Sequence, residues 1–344
     1  MNFDFRLTLI FPLLFFALAS CSKNEKGLIM TVSGPVPSSE TGIILSHEHV
    51  LVDFIGADST GYHRWDRSEA MEVILPYLLE AKEAGLKTFF DCTPAFLGRD
   101  VRLLRWLADT SGLNIVTNTG LYGASDNRHL PLYAFDASAD ELAELWIREF
   151  ERGIGGSGLR PGFIKIGVNP GPLSPLHRKL IRAAARTHKQ TGLAIASHTG
   201  PSEAAFEQLD ILDEEGVSSS AFIWVHAQNE ENLDRHLEAA ERGAWISFDG
   251  LSEANTEKYL QALQYFKEHK ILDQILLSHD AGWYSPGEPY GGSFRGYMTL
   301  LTSFRDLMLK NGFTEDDYNL LAHRNPVKAF ALDEKDINDL EQDQ

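Results

Sequence analysis

Along most of the chain, short apolar runs alternate with longer stretches in which apolar residues recur at helical spacing. The apolar runs carry β-branched or aromatic residues and end in Gly, Thr, Asn or His, which is typical of strands. The predicted strands are residues 43–54, 87–93, 114–120, 162–168, 193–199, 221–228, 244–250 and 275–282. The predicted helices begin near Ser68, Arg99, Ser138, Ser174, Pro201, Glu230, Asn255 and Gly296.

This alternation predicts eight strand–helix pairs with no breaking linker, and therefore a single closed (β/α)8 TIM barrel of the α/β class. An open doubly wound sheet is the alternative, but the G-x-G-x-x-G turn expected after its first strand is absent from the sequence. Residues 30–40 predict a short hairpin or turn ahead of the barrel. Residues 314–332 predict an extra helix, packed outside the barrel or across one end.

A separate apolar segment, residues 7–19, precedes this pattern. Its 13 residues would span about 20 Å as a helix, short of a bilayer core of about 30 Å, so the segment predicts a signal peptide. The following L-A-S-C resembles a bacterial lipobox, which implies cleavage before Cys21 and acylation of its sulfur. An ordinary secretory signal with an incidental Cys21 is the alternative. Ser22 stands where Asp would favour retention in the inner membrane, so an outer-membrane lipoprotein is the expectation.

The predicted organisation is a lipoprotein signal peptide over residues 1–20, a tether and N-terminal turn over 21–40, the barrel over 41–332 and an acidic tail over 333–344. The formal net charge of −18 repels phosphate backbones, which argues against nucleic acid as a partner. Only two cysteines occur, Cys21 and Cys92, so a disulfide framework is excluded, although one bridge remains arithmetically possible. Membrane contact is expected only through the lipid predicted on Cys21.

Six polar residues fall where successive strands are predicted to end. They are His47 and His49 on the first strand, Lys165 on the fourth, His198 on the fifth, His226 on the sixth and Asp280 on the eighth. Side chains two apart on a strand point the same way, so His47 and His49 share a face. In a barrel, the carboxyl ends of the strands meet at one rim, where active sites lie. The sequence therefore predicts that these six side chains converge.

Each of the six also has an ordinary structural explanation, such as a histidine covering the core, a lysine reaching the rim or an aspartate capping a turn. Their order on five different strands favours a metal site instead. An unpaired lysine would be costly inside an apolar strand, whereas a lysine carbamate is an anionic oxygen ligand. Four imidazoles and two anionic groups suit two divalent ions, with zinc expected, bridged by the carbamate and a hydroxide.

The chain resembles the phosphotriesterase-related proteins of the amidohydrolase superfamily over about residues 41–330. The matching segments are G-I-I-L-S-H-E-H-V, G-F-I-K-I-G, A-A-A-R-T-H-K-Q-T-G, A-S-H-T-G, I-W-V-H-A-Q, I-L-L-S-H-D-A-G and H-R-N-P-V-K-A-F. The resemblance implies that His47, His49 and Asp280 hold a buried metal and that His198 and His226 hold a more exposed one. It also implies that Lys165 is an N6-carboxylysine bridge and, because related barrels often pair, that the protein forms a homodimer.

The mechanism implied is attack of a metal-bridged hydroxide on a carbonyl or phosphoryl centre, with Asp280 as the catalytic proton acceptor. Phosphotriesterases carry an acid three residues after the sixth-strand histidine and a histidine near the end of strand seven. This sequence has Asn229 and Gly250 there. Asn229 cannot accept a proton as a carboxylate would, so carboxylic esters, lactones or amides are at least as well supported as organophosphates.

The substrate pocket is expected to include Tyr122, just past strand three, and three residues of the Gly-rich aromatic segment after strand eight, namely Trp283, Tyr284 and Arg295. That segment is predicted to cover the mouth as a lid. The leading hypothesis is a zinc-dependent hydrolase that acts on an ester-like bond of a small molecule. An amidase or peptidase of the same superfamily and a non-catalytic binding lipoprotein are the alternatives.

Overall fold

The computed structural model describes residues 27–333 and residue 337, so the predicted signal peptide and lipidation site lie outside the described residues. The first strands are β1 (Leu28–Thr31), β2 (Gly34–Pro37), β3 (Ile43–Leu51), β4 (Leu86–Asp91), β5 (Asn114–Val116) and β6 (Asn118–Thr119). The remaining strands are β7 (Phe163–Gly167), β8 (Ile195–His198), β9 (Phe222–Val225), β10 (Trp245–Phe248), β11 (Ile275–Leu277) and β12 (Gly282–Tyr284).

The strands from β3 onward close into one barrel. They form two parallel arcs, β12-β3-β4-β5 and β6-β7-β8-β9-β10-β11. β5 and β6 are successive parts of the third strand position, separated at Thr117. At the other seam, Asp280 N donates to His47 O over 3.1 Å and His49 N donates to Ala281 O over 2.9 Å. The predicted (β/α)8 barrel is therefore confirmed, and the open sheet is wrong.

Helices surround the barrel in the predicted alternation. They are α1 (Arg67–Glu83), α2 (Val101–Ser111), α3 (Tyr133–Asp136), α4 (Ala139–Arg152), α5 (Pro175–Thr191), α6 (Ser202–Glu214), α7 (Leu233–Glu241), α8 (Thr256–Glu268), α9 (Ser303–Lys310), α10 (Glu315–Asn319) and α11 (Asn325–Phe330). Ser138 begins α4 with a capping box to Glu141. Within the described residues, no helix combines the length and hydrophobicity that crossing a bilayer requires.

The helix predicted near Gly296 begins instead at Ser303. The intervening residues are held against the barrel by tertiary contacts that compete with helix formation. Tyr297 is fully buried and its hydroxyl donates to His49 O over 2.8 Å, while Leu300 N donates to His279 Nε2 over 2.9 Å. This segment therefore braces the outside of strands β3 and β11.

The amino end of the barrel is closed by apolar residues. The β1–β2 hairpin lies there, because Val32 N donates to Ile115 O at the start of the third strand. The predicted extra helix is present as α10, a π-turn over Leu320–Arg324 and α11, and it packs across the same end. Phe330 of α11 contacts Phe90 and Phe163 inside the barrel, with ring centroids 4.5 and 5.5 Å apart. The metal ligands predicted from sequence are therefore at the opposite, carboxyl end.

Candidate metal centre

The six predicted ligands line one small cavity at the carboxyl end of the barrel, with a volume of about 70 Å³. His47, His49 and Lys165 lie within strands β3 and β7, and His198 is the last residue of β8. His226 directly follows β9, and Asp280 lies just beyond the end of β11. Both have left-handed backbones, with φ of 60° and 51°. These two residues therefore turn out of their strands at the cavity.

His47, His49 and Asp280 form the tightest group. One ligand atom from each lies within 4.8 Å of those of the other two. Asp280 Oδ1 is 3.0 Å from His49 Nε2 and 3.6 Å from His47 Nε2. The Nδ1 atoms face other partners, since His49 Nδ1 is 2.8 Å from Thr93 Oγ1 and His47 Nδ1 is 3.2 Å from Asp249 Oδ2. Both imidazoles thus present Nε2 to one point beside a carboxylate, which is a suitable donor set for a divalent cation.

The second pair of imidazoles lies beside the first. The ring centroids of His198 and His226 are 4.4 Å apart, and those of His226 and His47 are 5.2 Å apart. Tyr122 closes this side, with its hydroxyl 3.1 Å from His198 Nδ1. The four histidines therefore form one continuous group around the cavity.

Lys165 is 2% exposed and lines the same cavity. Among residues 27–333, its ammonium group has neither a hydrogen-bond acceptor nor an ion-pair partner. An isolated buried ammonium is costly unless its charge is removed or compensated. A carbamate on Nζ would change the positive group into an anionic oxygen ligand, so the environment of Lys165 fits carboxylation.

The electrostatic environment of His47, His198 and Asp280 favours the protonation states that metal ligation requires, whereas at His226 burial alone would lower the pKa but the charge of Asp249 raises it. Burial, assisted by the charge of Lys165, lowers the pKa of His47 to about 4, and burial with the charges of His226 and Lys165 lowers the pKa of His198 well below its usual range. Burial alone would raise the pKa of Asp280, but the hydrogen bond and charge of His49 lower it to about 2. Neutral imidazoles and an ionised carboxylate are the forms that bind divalent cations.

Asp249, which follows β10, is a site residue that the sequence analysis did not nominate. Its carboxylate is fully buried, accepts from His226 Nδ1 over 2.6 Å and lies 3.2 Å from His47 Nδ1. Burial alone would raise the pKa of Asp249, but the charges of His226 and His47 lower it well below its usual range. Its sequence signal was the same as for the ligands, namely an acidic residue at the end of an apolar strand.

Glu48 lies between two predicted ligands but on the outer face of the barrel. Its carboxylate accepts from His279 N over 3.0 Å and Ala281 N over 2.9 Å, and it contacts His279 Nδ1 at 2.7 Å. These bonds hold both neighbours of Asp280, while Arg295 Nη2 donates to Asp280 O. The left-handed backbone of Asp280 is therefore fixed from two sides.

Two of the four predicted pocket residues lie in the cavity wall. Tyr122 and Trp283 line it, whereas Tyr284 and Arg295 are not among the lining residues. Neighbours on a strand face opposite ways, and Tyr284 on β12 packs beside Gly291 instead. Arg295 lies over the Trp283 ring, 4.9 Å from its centroid, so it supports the wall from outside. The predicted lid segment is tied down by backbone bonds between Gly282 and Arg295 and from Ser285 N to Gly291 O.

A larger cavity of about 340 Å³ lies beside the barrel, between the loops after strands one to three and helix α4. Its walls include Tyr62, Phe96, Tyr133 and Trp146, and it contains none of the six predicted ligands. Its charged groups are already satisfied, since Arg99 Nη2 donates to Glu149 Oε1 over 2.9 Å. Size alone therefore does not identify the candidate site, and the six predicted ligands line the smaller cavity.

Comparison with known proteins gives consistent matches over nearly the whole described chain. The model of the phosphotriesterase family matches residues 27–330. The phosphotriesterase homology protein of Escherichia coli is 30% identical over 294 residues, which cover 84% of this chain and 98% of that protein. The N-acetyltaurine hydrolase of Rattus norvegicus is 26% identical, with 89% of this chain and 98% of that protein covered.

A solved structure also matches most of this chain. The organophosphorus hydrolase from Deinococcus radiodurans superimposes with a TM-score of 0.80 at 26% identity, and the match covers 89% of this chain and 97% of that chain.

Proposed function

Because the chain belongs to the phosphotriesterase family, we propose that it is a binuclear metal-dependent hydrolase. Its substrate would be a small molecule with an ester-like bond, as in a carboxylic ester, a lactone or a phosphoester. The observation that carries this proposal is the meeting of four imidazoles, one carboxylate and one unpaired lysine around a single cavity. That set provides ligands for two cations without a further protein nucleophile.

The residues present fit two divalent ions, for which zinc is expected. His47, His49 and Asp280 would hold the first, and His198 and His226 the second, with Lys165 as an N6-carboxylysine shared between them. When bound, such ions would lower the pKa of a water molecule and polarise the substrate oxygen. The burial of His47 and His49, at 2% and 7% exposure, supports assigning the first position to the deeper part of the cavity.

Asp280 is the group that would accept the proton from the attacking water. Its side chain is 22% exposed, so it reaches both the buried imidazoles and the cavity. Its low pKa keeps it ionised near neutral pH, as a proton acceptor requires. Glu48 accepts from the backbone N–H groups on both sides of Asp280, and the Arg295 side chain donates to Asp280 O. These bonds hold the residue in position, so the carboxylate need not reorganise during the reaction.

The cavity walls favour a substrate with an apolar substituent. Val52, Phe54, Leu97 and Trp283 line the cavity beside the ligands. Apolar walls exclude bulk water and strengthen the electrostatic interactions inside. Tyr122, next to His198, would contact the substrate on the side of the second ion.

The strand-seven end differs from the arrangement that the family resemblance implies for phosphotriesterases. A Cβ on Gly250 would lie 2.8 Å from Gln228 Nε2 and 3.1 Å from Tyr259 Oη, so both side chains would have to move to admit a histidine there. Asn229 forms the end of a turn and carries no charge. The chain therefore lacks the acid and the histidine that would relay a proton outward. A carboxylic ester or a lactone is thus better supported as the substrate than a phosphotriester.

An amide substrate is the second candidate. One relative is named an N-acetyltaurine hydrolase, and the match covers 98% of its length. The same ligands and the same proton acceptor would serve an amide, because both reactions need an activated water. A peptidase and a non-catalytic binding protein are the remaining alternatives.

Substrate profiling tests these proposals directly. Protein reconstituted with zinc and bicarbonate would be assayed on aryl esters, lactones, a phosphotriester, N-acyl amino acids and dipeptides. We expect the highest kcat/KM on an ester or lactone, with His47→Ala inactive and Tyr290→Phe, at an 89% exposed position, unchanged. Preference for N-acyl amino acids or dipeptides would favour the second candidate. Absence of turnover in metal-loaded protein would favour the binding protein.

We further propose that the mature protein is a lipoprotein of a bacterial cell envelope, anchored through Cys21 in the outer membrane. Cys21 precedes Gly27 by six residues, and Leu28 pairs with Leu332 at the closed end of the barrel. The tether would therefore reach the barrel at the end opposite the metal cavity, and the cavity would face away from the membrane. Mass spectrometry of the N-terminal peptide should show acylation that Cys21→Ser abolishes, and unmodified Cys21 in the wild type would refute the anchor.

A homodimer is the proposed assembly. Tyr62, Leu132, Tyr133 and Phe135 are 57%, 75%, 45% and 48% exposed in the segments that follow strands one and three, the last two within helix α3. Adjacent exposed apolar residues are typical of interaction surfaces. Light scattering should give the mass of two chains for the wild type and of one chain for Leu132→Asp, whereas a monomeric wild type would exclude this assembly.

A further inference from the structure

Asp249 occupies an unusual place, because it follows the one barrel strand between the fifth and the eighth that contributes no predicted ligand. The residue is fully buried. Its Oδ2 accepts from His226 N over 3.0 Å and from Ser247 Oγ over 2.9 Å, and Oδ1 accepts from Gln228 Nε2 over 3.0 Å. The carboxylate is therefore oriented by the side chains of Ser247 and Gln228 and by the backbone of His226.

The same carboxylate contacts one imidazole from each proposed metal position. Oδ1 is 2.6 Å from His226 Nδ1, and Oδ2 is 3.2 Å from His47 Nδ1. A carboxylate only accepts, so each Nδ1 carries the hydrogen and each Nε2 keeps its lone pair for a metal. Asp249 thus sets the tautomer and the ring orientation of two ligands at once.

We propose that Asp249 is a positioning residue that couples the two metal positions, so that filling either one favours filling the other. The inference rests on the proposed binuclear function. An ion bound to His47 would fix that ring against Oδ2 and so further restrict the carboxylate, which then holds His226 ready for the second ion. Such coupling is reciprocal, since each ion must change the affinity for the other by the same factor.

Glu48, another buried carboxylate at this end of the barrel, has a different role. Glu48 is also fully buried, but its bonds go to Ser278 Oγ, His279 and the backbone of Ala281 on the outer face. It contacts no side chain of the six proposed ligands. Of these two carboxylates, only Asp249 contacts imidazoles of both proposed metal positions.

The test compares Asp249→Asn with Ser247→Ala. Asparagine keeps the shape of the side chain but cannot accept from both imidazoles, whereas Ser247→Ala removes one supporting bond and leaves both imidazole contacts. Native mass spectrometry would count bound zinc ions after addition of about one equivalent to metal-free protein in bicarbonate. A titration against a chelator would give both dissociation constants.

We expect wild-type and Ser247→Ala samples to contain mainly empty and doubly loaded chains. Asp249→Asn should instead contain mainly singly loaded chains, and both dissociation constants should rise roughly 10–100-fold, the usual effect of losing a partner of a metal-bound histidine. A carboxylated Lys165 would also touch both ions and could couple them by itself. The contribution of Asp249 is therefore measured by the change that Asp249→Asn causes. Unchanged coupling and affinity in that variant would overturn the inference, whereas protein that binds no zinc would overturn the proposed function.

A second measurement does not depend on how the variant folds. The ring-nitrogen chemical shifts of ¹⁵N-histidine in zinc-loaded wild type should show His47 and His226 bound through Nε2 and protonated at Nδ1. Metal bound at Nδ1 of either ring would contradict the role of Asp249. Thermal unfolding of the metal-free forms serves as the folding control.

Discussion

The two ends of the barrel are built from the same strands but differ in what fills them. The amino end is closed by apolar side chains, among them Ile29, Val327 and Phe330 packed on Phe90 and Phe163. The carboxyl end is filled by imidazoles, carboxylates and one lysine around a cavity. Burial of apolar surface stabilises the first end, whereas burial of polar groups at the second end costs stability.

Backbone strain follows the same division. The structure gives nine non-glycine residues with positive φ in the described chain, and eight of them lie either in β12 or in segments that follow the carboxyl ends of strands. These eight are Phe96, Ser125, Asp126, Asn127, His226, Asp280, Trp283 and Tyr290, and the ninth is Lys270. Strained residues persist where surrounding structure fixes them, often at functional sites. The amino end therefore supplies stability, and the carboxyl end uses part of it to hold the site.

The largest effect should come from Lys165→Ala at the carboxyl end. Loss of the shared ligand should lower kcat/KM at least roughly 10³-fold, because metal stabilisation of the transition state contributes several kcal/mol. Bound metal should fall, while the metal-free protein should be as stable as wild type or more so, since an unpaired ammonium is removed. Lys87→Ala, an exposed lysine on β4, is the control. Full metal content in Lys165→Ala would contradict the bridging role.

Phe330→Ala tests the opposite end. Removing this buried ring should lower the free energy of unfolding by about 3–5 kcal/mol, while kcat/KM per folded molecule should stay within about twofold because the metal cavity is at the other end. Urea unfolding and steady-state kinetics at a temperature where the variant is folded would measure both quantities. Leu79→Ala, at a 39% exposed position on α1, is the control. A large kinetic loss with little destabilisation would break the division between the ends.

Acidification should destabilise the carboxyl end through His129. This residue is fully buried, and neither ring nitrogen has a hydrogen-bond partner among the described residues. Burial, with the charge of Arg128 adding to it, lowers the pKa of His129 to about 4. The unfolded chain, with a histidine pKa of about 6.5, binds more protons between these two values. Stability should therefore fall as the pH drops from about 6.5 to about 4.

His129→Phe should remove this dependence. The free energy of unfolding of metal-free wild type should decrease by roughly 2–3 kcal/mol more than that of the variant between pH 7 and pH 4. Urea unfolding at several pH values would measure the difference, and other histidines cancel in the comparison. Identical pH profiles would show that His129 is not protonated differently in the folded and unfolded chains.

Tyr122→Phe should give the smallest effect. The variant keeps the cavity wall and loses the hydroxyl that lies 3.1 Å from His198 Nδ1. A single such bond contributes about 0.5–1.5 kcal/mol, so kcat/KM should fall roughly 2–10-fold. Steady-state kinetics would measure it against Tyr290→Phe. A loss similar to that of Lys165→Ala would mean that Tyr122 acts in the chemistry and not only in positioning.

Much of the fold was readable from the sequence because the barrel repeats one local pattern. Apolar runs ending in polar residues located the strands and placed His198, His226 and Asp280 at one rim. The helix predicted near Gly296 was wrong in its start because Tyr297 and Leu300 make long-range bonds that no local pattern reports. The break of the third strand at Thr117 likewise depends on how two arcs of the sheet meet.

The site was predictable where a residue type implies a role and less so where a role depends on neighbours. Four strand-end histidines suggested ligands directly. The role of Asp249 was not predicted because it depends on contacts with His47 and His226, which lie on two other strands. Trp283 and Tyr284 were both nominated, but strand alternation allows only one of two neighbours to face the cavity.

The central claim is that the six converging residues bind a pair of cations. The most direct test is to reconstitute the protein with zinc and bicarbonate, remove unbound ions and measure the number of metal ions per chain by elemental mass spectrometry. The account predicts about two divalent ions in the wild type and a clear decrease in His47→Ala. Wild-type protein that retains no divalent ion would contradict it.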